Sequence, residues 1–350
     1  MSFRFPRRSA VVATKLLLLA AVFGSTRPIR ADDPSKATHG AAVLDRIFAN
    51  WKARHDRVHS LHFTIDSRTL CKKGQLDFSS TVPGTRFDRD QVLQQFGAQV
   101  WIDGDDHLCV IITPTFKPGA KLTETHRVAT RWVHVAKTTS IFDASRWYET
   151  GLEPQQAFAP RGVIRRNHGD HQPLSGPVLQ PLLLTLRPQS SWIDWQKDEC
   201  RLLDENALVD GGSAISFQRS VARSANISAR DETCWVSPAR DEVIVHWRIE
   251  ARGKTIDESI KHKKDKACGW VPSEWTVRGP GEGFSEYSVT NYALNEKIDS
   301  AVFSQTFPAG TPVQEESGSG AAQKIRYYVV QPDGSERAIT HKDFIHLAWP

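Results

Sequence analysis

Residues 289–313 read VTNYALNEKIDSAVFSQTFPAGTPV, a stretch that holds a strand pattern, a turn-rich step and a second short apolar anchor. Tyr287, Val289, Asn291 and Ala293 alternate with Ser288, Thr290, Tyr292 and Leu294. That period of two puts one set on a core and the other on a second surface. Asn295 to Ser300 interrupts the pattern, and Phe303 and Phe307 resume it ahead of Pro308, Ala309 and Gly310. Proline fixes one backbone dihedral there and glycine tolerates a positive φ, so the chain turns. The stretch predicts a strand that closes a sheet.

Upstream of it, from Ala207 onward, the signals are nearly all β. Ala214–Phe217, Thr233–Val236, Glu242–Ile249, Thr255–Ile260, Gly269–Val271 and Glu274–Val277 are separated by short turns, with Arg252-Gly253 and Gly279–Gly283 as reversals. Strands at this spacing predict an antiparallel meander. Near the other end, Leu44, Ile47, Phe48 and Trp51 recur at intervals of three and four, which predicts a helix over 38–56 with one apolar stripe. Leu61, Phe63 and Ile65 then change the period to two, so a first strand follows directly. Lys72 to Gln95 is a polar gap with a strand near Thr85–Val92. Val100–Ile102 and Leu108–Ile112 flank Asp103-Gly104-Asp105-Asp106, a hairpin turn that lacks the ligand spacing and closing Glu of a calcium loop. Arg131–Val135 and Thr138–Phe142 are further strands, residues 144–173 form a loop-rich excursion, and Val178–Leu186 is a short buried helix between Pro177 and Pro188. Tyr327–Val330 and Gln331-Pro332-Asp333-Gly334 add a terminal strand and turn.

Arg4, Arg7, Arg8 and Lys15 precede or punctuate a short apolar run ending at Phe23, the pattern of an export signal cleaved after Ala31. The run is shorter than the roughly 20 residues that span a bilayer. The 45 basic and 40 acidic residues give +5, but residues 1–31 hold five Arg and one Lys and no acid, so the remainder carries 39 basic against 40 acidic residues, a net of −1. No basic stripe survives in the folded part, so nucleic acid is not an expected partner. Five cysteines in an exported chain permit two disulfides, and none forms a Cys-x-x-Cys pair. Cys234 and Cys268 flank the Arg252-Gly253 turn; if Ala251 faces Lys254 they miss direct opposition by three positions, which a bulge near Pro238 takes up. They are the expected disulfide.

The end of the chain resembles the outer-membrane lipoprotein carrier superfamily, the LolA-like proteins, together with related periplasmic envelope sensors. In that group a strand leads into an Asn-x-x-Ile/Leu-x-x-x-x-Phe step and a Phe-Pro-x-Gly-x-x-Val turn, matched by Asn295, Ile298, Phe303, Phe307, Pro308, Gly310 and Val313. Trp235-Val236-Ser237-Pro238 is similar to the family's Trp-x-Asp-Pro step, with Ser237 where Asp is usual. The resemblance implies a mainly β (α+β) chain: an incomplete antiparallel β-barrel, or strongly curved sheet, with helices covering the concave face. With the export signal over 1–31 read from its own residues, the resemblance implies a curved-sheet domain over 32–313, and the remaining 314–350 is a C-terminal extension with a terminal strand.

The chain carries no Gly-x-Ser-x-Gly elbow, no phosphate loop and no dinucleotide fingerprint. His55, His59 and His62 straddle a helix-to-strand change, and His168 and His171 lie in the excursion; neither group has the geometry of a metal site. The acid pairs Asp105-Asp106, Asp198-Glu199 and Glu315-Glu316 are adjacent, which on a strand sends them to opposite faces instead of converging on one bond. Trp101, Leu182, Trp235, Trp247 and Trp275 are the expected lining of an apolar concavity. The resemblance implies a periplasmic, non-enzymatic carrier or sensor with no cofactor. Its expected partner is an apolar ligand such as an acyl chain or lipoprotein, and an envelope protein is a second. The eleven tryptophans keep a secreted carbohydrate-binding or carbohydrate-active protein as the alternative, and a sensor that binds only a partner protein as a third reading.

Overall fold

The structure is a computed structural model that describes residues 34–74, 86, 90–114, 137–143, 146–152, 161–166, 177–190, 192–193, 195–222, 229–279, 284–304, 306–318 and 323–348. The expected export signal, the Arg131–Val135 strand, His168 and His171 fall outside the described residues.

Helix α1 (Pro34–Arg57) forms where the three-and-four spacing places it, burying Val43, Leu44, Ile47, Phe48 and Trp51 while Asp45, Arg46 and Lys52 face solvent. Arg54 and Arg57 occupy its last turn, where cations complement the helix dipole. Strands β1 (Ser60–Cys71), β2 (Gln91–Asp103), β3 (His107–Pro114), β4 (Lys137–Asp143), β5 (Arg146–Leu152) and β6 (Arg161–Arg166) follow. Helix α2 (Gln180–Leu186) leads to β7 (Cys200–Val209), β8 (Gly212–Val221), β9 (Arg230–Ser237), β10 (Val243–Ala251), β11 (Lys254–Asp265), β12 (Gly269–Arg278) and β13 (Phe284–Leu294). The chain ends with β14 (Pro312–Ser317), β15 (Lys324–Val330), β16 (Glu336–Ala338) and helix α3 (His341–Ala348).

The described strands form one open sheet in the order β16-β15-β14-β6-β5-β4-β3-β2-β1-β13-β12-β11-β10-β9-β8-β7. Every neighbouring pair is antiparallel except β14 and β6, which run parallel. The protein is therefore mainly β, with a sheet that does not close. The opening stretch does form a strand, but β13 lies inside the open sheet and does not close it. It joins the two halves by pairing with β1 on one side and β12 on the other, with Leu294 opposite Leu61, Tyr292 opposite Phe63 and Val289 opposite Ile65. A register shift at Thr64/Ile65 breaks the expected parity of that strand. Tyr287 and Val289 point into the core before the bulge, but Tyr292 and Leu294 do so after it, in place of Asn291 and Ala293.

Aromatic contacts show how strongly the sheet curves. Phe142 on β4 meets Trp192 at 6.3 Å between ring centroids, and Phe217 on β8 meets Trp195 at 5.6 Å. Strands β4 and β8 stand nine positions apart in the sheet, roughly 43 Å on a flat sheet with strands ~4.8 Å apart. Side chains three residues apart in sequence touch both, so the sheet wraps around the segment that bears them. Helices α1 and α2 fill the concave side in one continuous core, and Trp51, fully buried, packs on Phe48, Phe217 and Trp195.

Two regions differ from the sequence reading. The excursion contains β5 and β6, whose polar sequences RWYETGL and RGVIRR hide their pairing, and the tail beyond residue 313 belongs to the same sheet through β14 and β15. Glu315 and Glu316 face opposite ways as adjacent strand residues must: Glu315 pairs with Arg166 and Arg326, and Glu316 with Arg165 at 3.5 Å.

Candidate functional site

Helix α2 forms between breakers, with Pro181 in its first turn and Pro188 beyond its end, and Pro181 to Leu186 are all buried. Its C-terminal end is clamped. Arg54 donates from Nη1 to the Thr185 carbonyl at 3.0 Å and from Nη2 to the Asp241 carbonyl. Burial lowers the pKa of Arg54 to about 10. Arg187 donates to the Gly104 carbonyl at 2.5 Å and to Asp105 Oδ1 at 2.8 Å, pinning the helix end to the β2–β3 turn. Thr185 Oγ1 also meets His262 Nε2 at 3.1 Å, and burial drives that imidazole down to about 3, so it is neutral at physiological pH. The N-terminal end is held differently: Trp275 Nε1 donates to the Pro177 carbonyl at 2.8 Å.

Beneath this N-terminal end lies a cavity of about 300 Å³ between Pro177, Gln180, the 192–195 segment and strands β8–β12. That volume is at the lower end of small-molecule sites. Trp192, Trp195, Trp247, Ile249, Ile256 and Val277 form its apolar wall. Its polar side is built from residues that carry core parity on their strands. Arg219 follows Phe217 in phase on β8, Glu232 precedes Cys234 on β9, and Glu258 lies between Ile256 and Ile260 on β11.

Glu232 is fully engaged: it accepts from Arg219 Nε at 3.0 Å and from Arg230 Nε at 2.5 Å, while the Arg219 guanidinium also lies 4.4 Å over the Trp195 ring. Trp247 and Glu258 are different. They are direct cross-strand partners, each 2% exposed, yet Trp247 Nε1 and Glu258 Oε2 have no hydrogen-bond partner among the described residues. Burial, and secondarily the neighbouring Asp257 charge, raises the Glu258 pKa to about 8, so the carboxyl is protonated at neutral pH.

A larger concavity of about 430 Å³ lies on the outer face, lined by Asp66, Arg68, Lys261, Glu274 and Glu286 among others. Its two cations are already paired, Lys261 with Glu274 at 2.9 Å and Arg68 with Glu286 at 2.5 Å, and Asp66 and Asp210 leave it acidic. The smaller cavity is the candidate site because it combines an apolar wall with unpartnered buried polar atoms.

Of the expected lining residues, Trp247 faces the cavity, while Trp275 and Leu182 are buried in the core around α2. Trp101 and Trp235 are on the other side of the sheet. Trp101 is opposite His62 and stacks on it at 4.6 Å beneath Phe303, and Trp235 meets His246 edge-on at 4.7 Å with Arg248 over its ring. The reason is parity: each stands between two core residues, Val100 and Ile102 or Cys234 and Val236. Trp192 and Trp195 take their place in the wall, from a segment without a repeating pattern.

The expected disulfide does not form. Ala251 does face Lys254, but the chain reverses again at Asp241 and Glu242, both with positive φ, so Cys234 lies on β9 opposite Trp247. Cys268 precedes β12 and is separated from β9 by intervening strands, at least two ~4.8 Å spacings and beyond the ~7 Å Cα limit of a bridge. Cys109, Cys200, Cys234 and Cys268 are free thiols, and burial raises the pKa of each. Among the described residues no three metal-ligating side chains converge: His55 lies 3.6 Å from Asp105, whereas His62 is on the outer face.

No protein-family model matches the chain, and no curated protein matches it in sequence. Among solved structures, a Vibrio parahaemolyticus domain assigned to outer membrane lipoprotein sorting aligns with a TM-score of 0.42 at 10% identity, covering 76% of this chain and 97% of its own. The Mycobacterium tuberculosis lipoprotein LppX aligns with a TM-score of 0.29 at 10% identity, covering 74% of this chain and 98% of its own. Superposition is partial in both. No helix among the described residues is long and apolar enough to cross a membrane.

Proposed function

We propose that the protein is an exported, non-catalytic binding protein, a carrier or sensor that holds an acyl chain or similar apolar ligand against the concave face. The observation that carries this reading is the cavity under the N-terminal end of α2, walled by three tryptophans and aliphatic side chains. The helix end beyond it is clamped by Arg54 and Arg187, whereas the Pro177 end is held by the single hydrogen bond from Trp275, so the Pro177 end is the one that lifts at the lower cost. Each methylene buried contributes about 0.8 kcal/mol, so even a partly inserted chain gains several kcal/mol before the cost of moving the helix. The cavity is small for a long chain, and displacement of Pro177 and Gln180 extends it.

Tryptophans buried edge-on in a core do not make the exposed platform that a sugar ring stacks on. The test is titration of delipidated mature protein, its N-terminus first sequenced and expected near Asp32, with a fluorescent fatty acid and with an oligosaccharide series. Saturable micromolar binding of the fatty acid is expected. Saturation by the sugar alone would replace this reading with the carbohydrate one.

A further inference from the structure

The cavity is chemically one-sided. Trp247 Nε1 can only donate, and Glu258, protonated, has a hydroxyl to give; the two project from directly opposed positions on β10 and β11. Among the described residues the one other carboxylate on the wall, Glu232, is spent on two guanidiniums, the buried Arg219 and the partly exposed Arg230, and so offers no free acceptor. Glu199, half exposed, is 3.8 Å from Arg219 at the solvent side. A buried donor without an acceptor is costly, and a cavity with spare donors and no free acceptor favours a ligand that presents an anionic oxygen.

We infer that Trp247 and Glu258 form the anchor for the anionic headgroup of an acyl amphiphile, a carboxylate in its simplest form, with the chain lying along the tryptophan wall. The inference rests on the acyl-binding reading and assigns its headgroup. The ligand oxygen accepts from the indole N–H and from the Glu258 hydroxyl, as a neutral buried carboxylic acid can donate to an oxyanion. The charged and titratable groups near Glu258 are Arg219, Arg230 and Glu232 on the cavity wall, with Asp257, Tyr287 and Cys234 close by. Tyr287 and Cys234 are pushed upward by burial and stay neutral where Glu258 titrates. Once Glu258 ionises, the donor is gone and a second negative charge faces the ligand, so affinity falls as pH rises through about 8.

The experiment compares dodecanoate, dodecanol and dodecylammonium binding to the full mature protein by calorimetry from pH 6.5 to 9. Dodecanoate is expected to bind at least tenfold tighter than dodecylammonium at pH 7 and to weaken about tenfold by pH 9. Glu258→Gln, which keeps a donor and cannot ionise, should show no fall in dodecanoate affinity from pH 6.5 to 9. Trp247→Phe should weaken dodecanoate several-fold with little change for dodecanol. Tighter binding of the ammonium, or a wild-type profile flat to pH 9, overturns the anchor. Equal binding of all three would leave the acyl reading standing and remove the headgroup assignment, whereas no binding of any would remove both.

Discussion

Glu258 and His262 share one face of β11 and titrate in opposite senses. An acid whose folded pKa is raised contributes stability that is complete below its unfolded value, near 4.5, and is lost as pH climbs through about 8. His262 is held down to about 3 by burial, with Arg240 and Arg54 adding to it, so its contribution is complete above 6.5 and is lost as pH falls through about 3. Each contributes a slope of up to ~1.4 kcal/mol per pH unit, and the two offset each other between 4.5 and 6.5. Urea unfolding of wild type should therefore lose about 2 kcal/mol between pH 6.5 and 8, and Glu258→Gln should not. Parallel pH profiles for the two proteins would show that Glu258 does not hold its proton in the fold. The signal for this residue was present in the sequence: Ile256, Glu258, Ile260 and His262 alternate with polar positions, which puts a carboxyl and an imidazole on a core face. Parity likewise separates Trp247 from Trp101 and Trp235, once the bulges that reset it are known. Those bulges are set by backbone pairing and are not written in side-chain type.

Among elements, α1, the β2–β3 turn and the β10–β11 hairpin were legible because their signals are local: helical spacing, Asp-Gly and Arg-Gly reversals, unbroken alternation. Strand β7 was not, because CRLLDENALV is an edge strand with one neighbour and needs little apolar sequence. Strand β6 was hidden for a second reason, since its partner β14 lies some 150 residues further along the chain. Gly162 in β6 shows how closely that joint is packed. A Cβ there would stand 2.7 and 2.8 Å from Phe307 Cζ and Cδ1, in contact with the ring that the Phe-Pro-x-Gly turn delivers. Gly162→Ala should destabilise by about 1–3 kcal/mol through overpacking, read as a lower urea midpoint with an unchanged slope. A midpoint equal to wild type would mean that the Phe307 ring swings aside without loss.

For the whole molecule, the strand order decides what holds what. Strand β1 is central, yet only its pairing with β2 is local; its other edge is satisfied by β13, from the far part of the chain. Asn295, in a left-handed conformation just past β13, ties the junction to α1. It donates from Nδ2 to the Arg57 carbonyl at 2.8 Å and accepts from the His59 amide at 3.0 Å. The antiparallel, mainly β architecture could be read from the local strand and turn residues, but the extent of the sheet could not, because long-range pairing leaves no local trace. Native-state and pulse-labelled hydrogen exchange should separate the two kinds of contact. Amides shared by β2 and β3 should gain protection early in refolding, and those shared by β1 and β13 late. Simultaneous protection of both sets would contradict this order.

The parallel seam between β6 and β14 adds a consequence in time. As the chain is made from its N-terminus, β6 is complete long before β14 exists, and until then it offers a row of unpaired amides and carbonyls. During that interval the half-built sheet can recruit a strand from another molecule as readily as from itself. The last forty or so residues thus act as the stopper of a nascent edge, and an interrupted translation product should be the form of this protein most prone to aggregate.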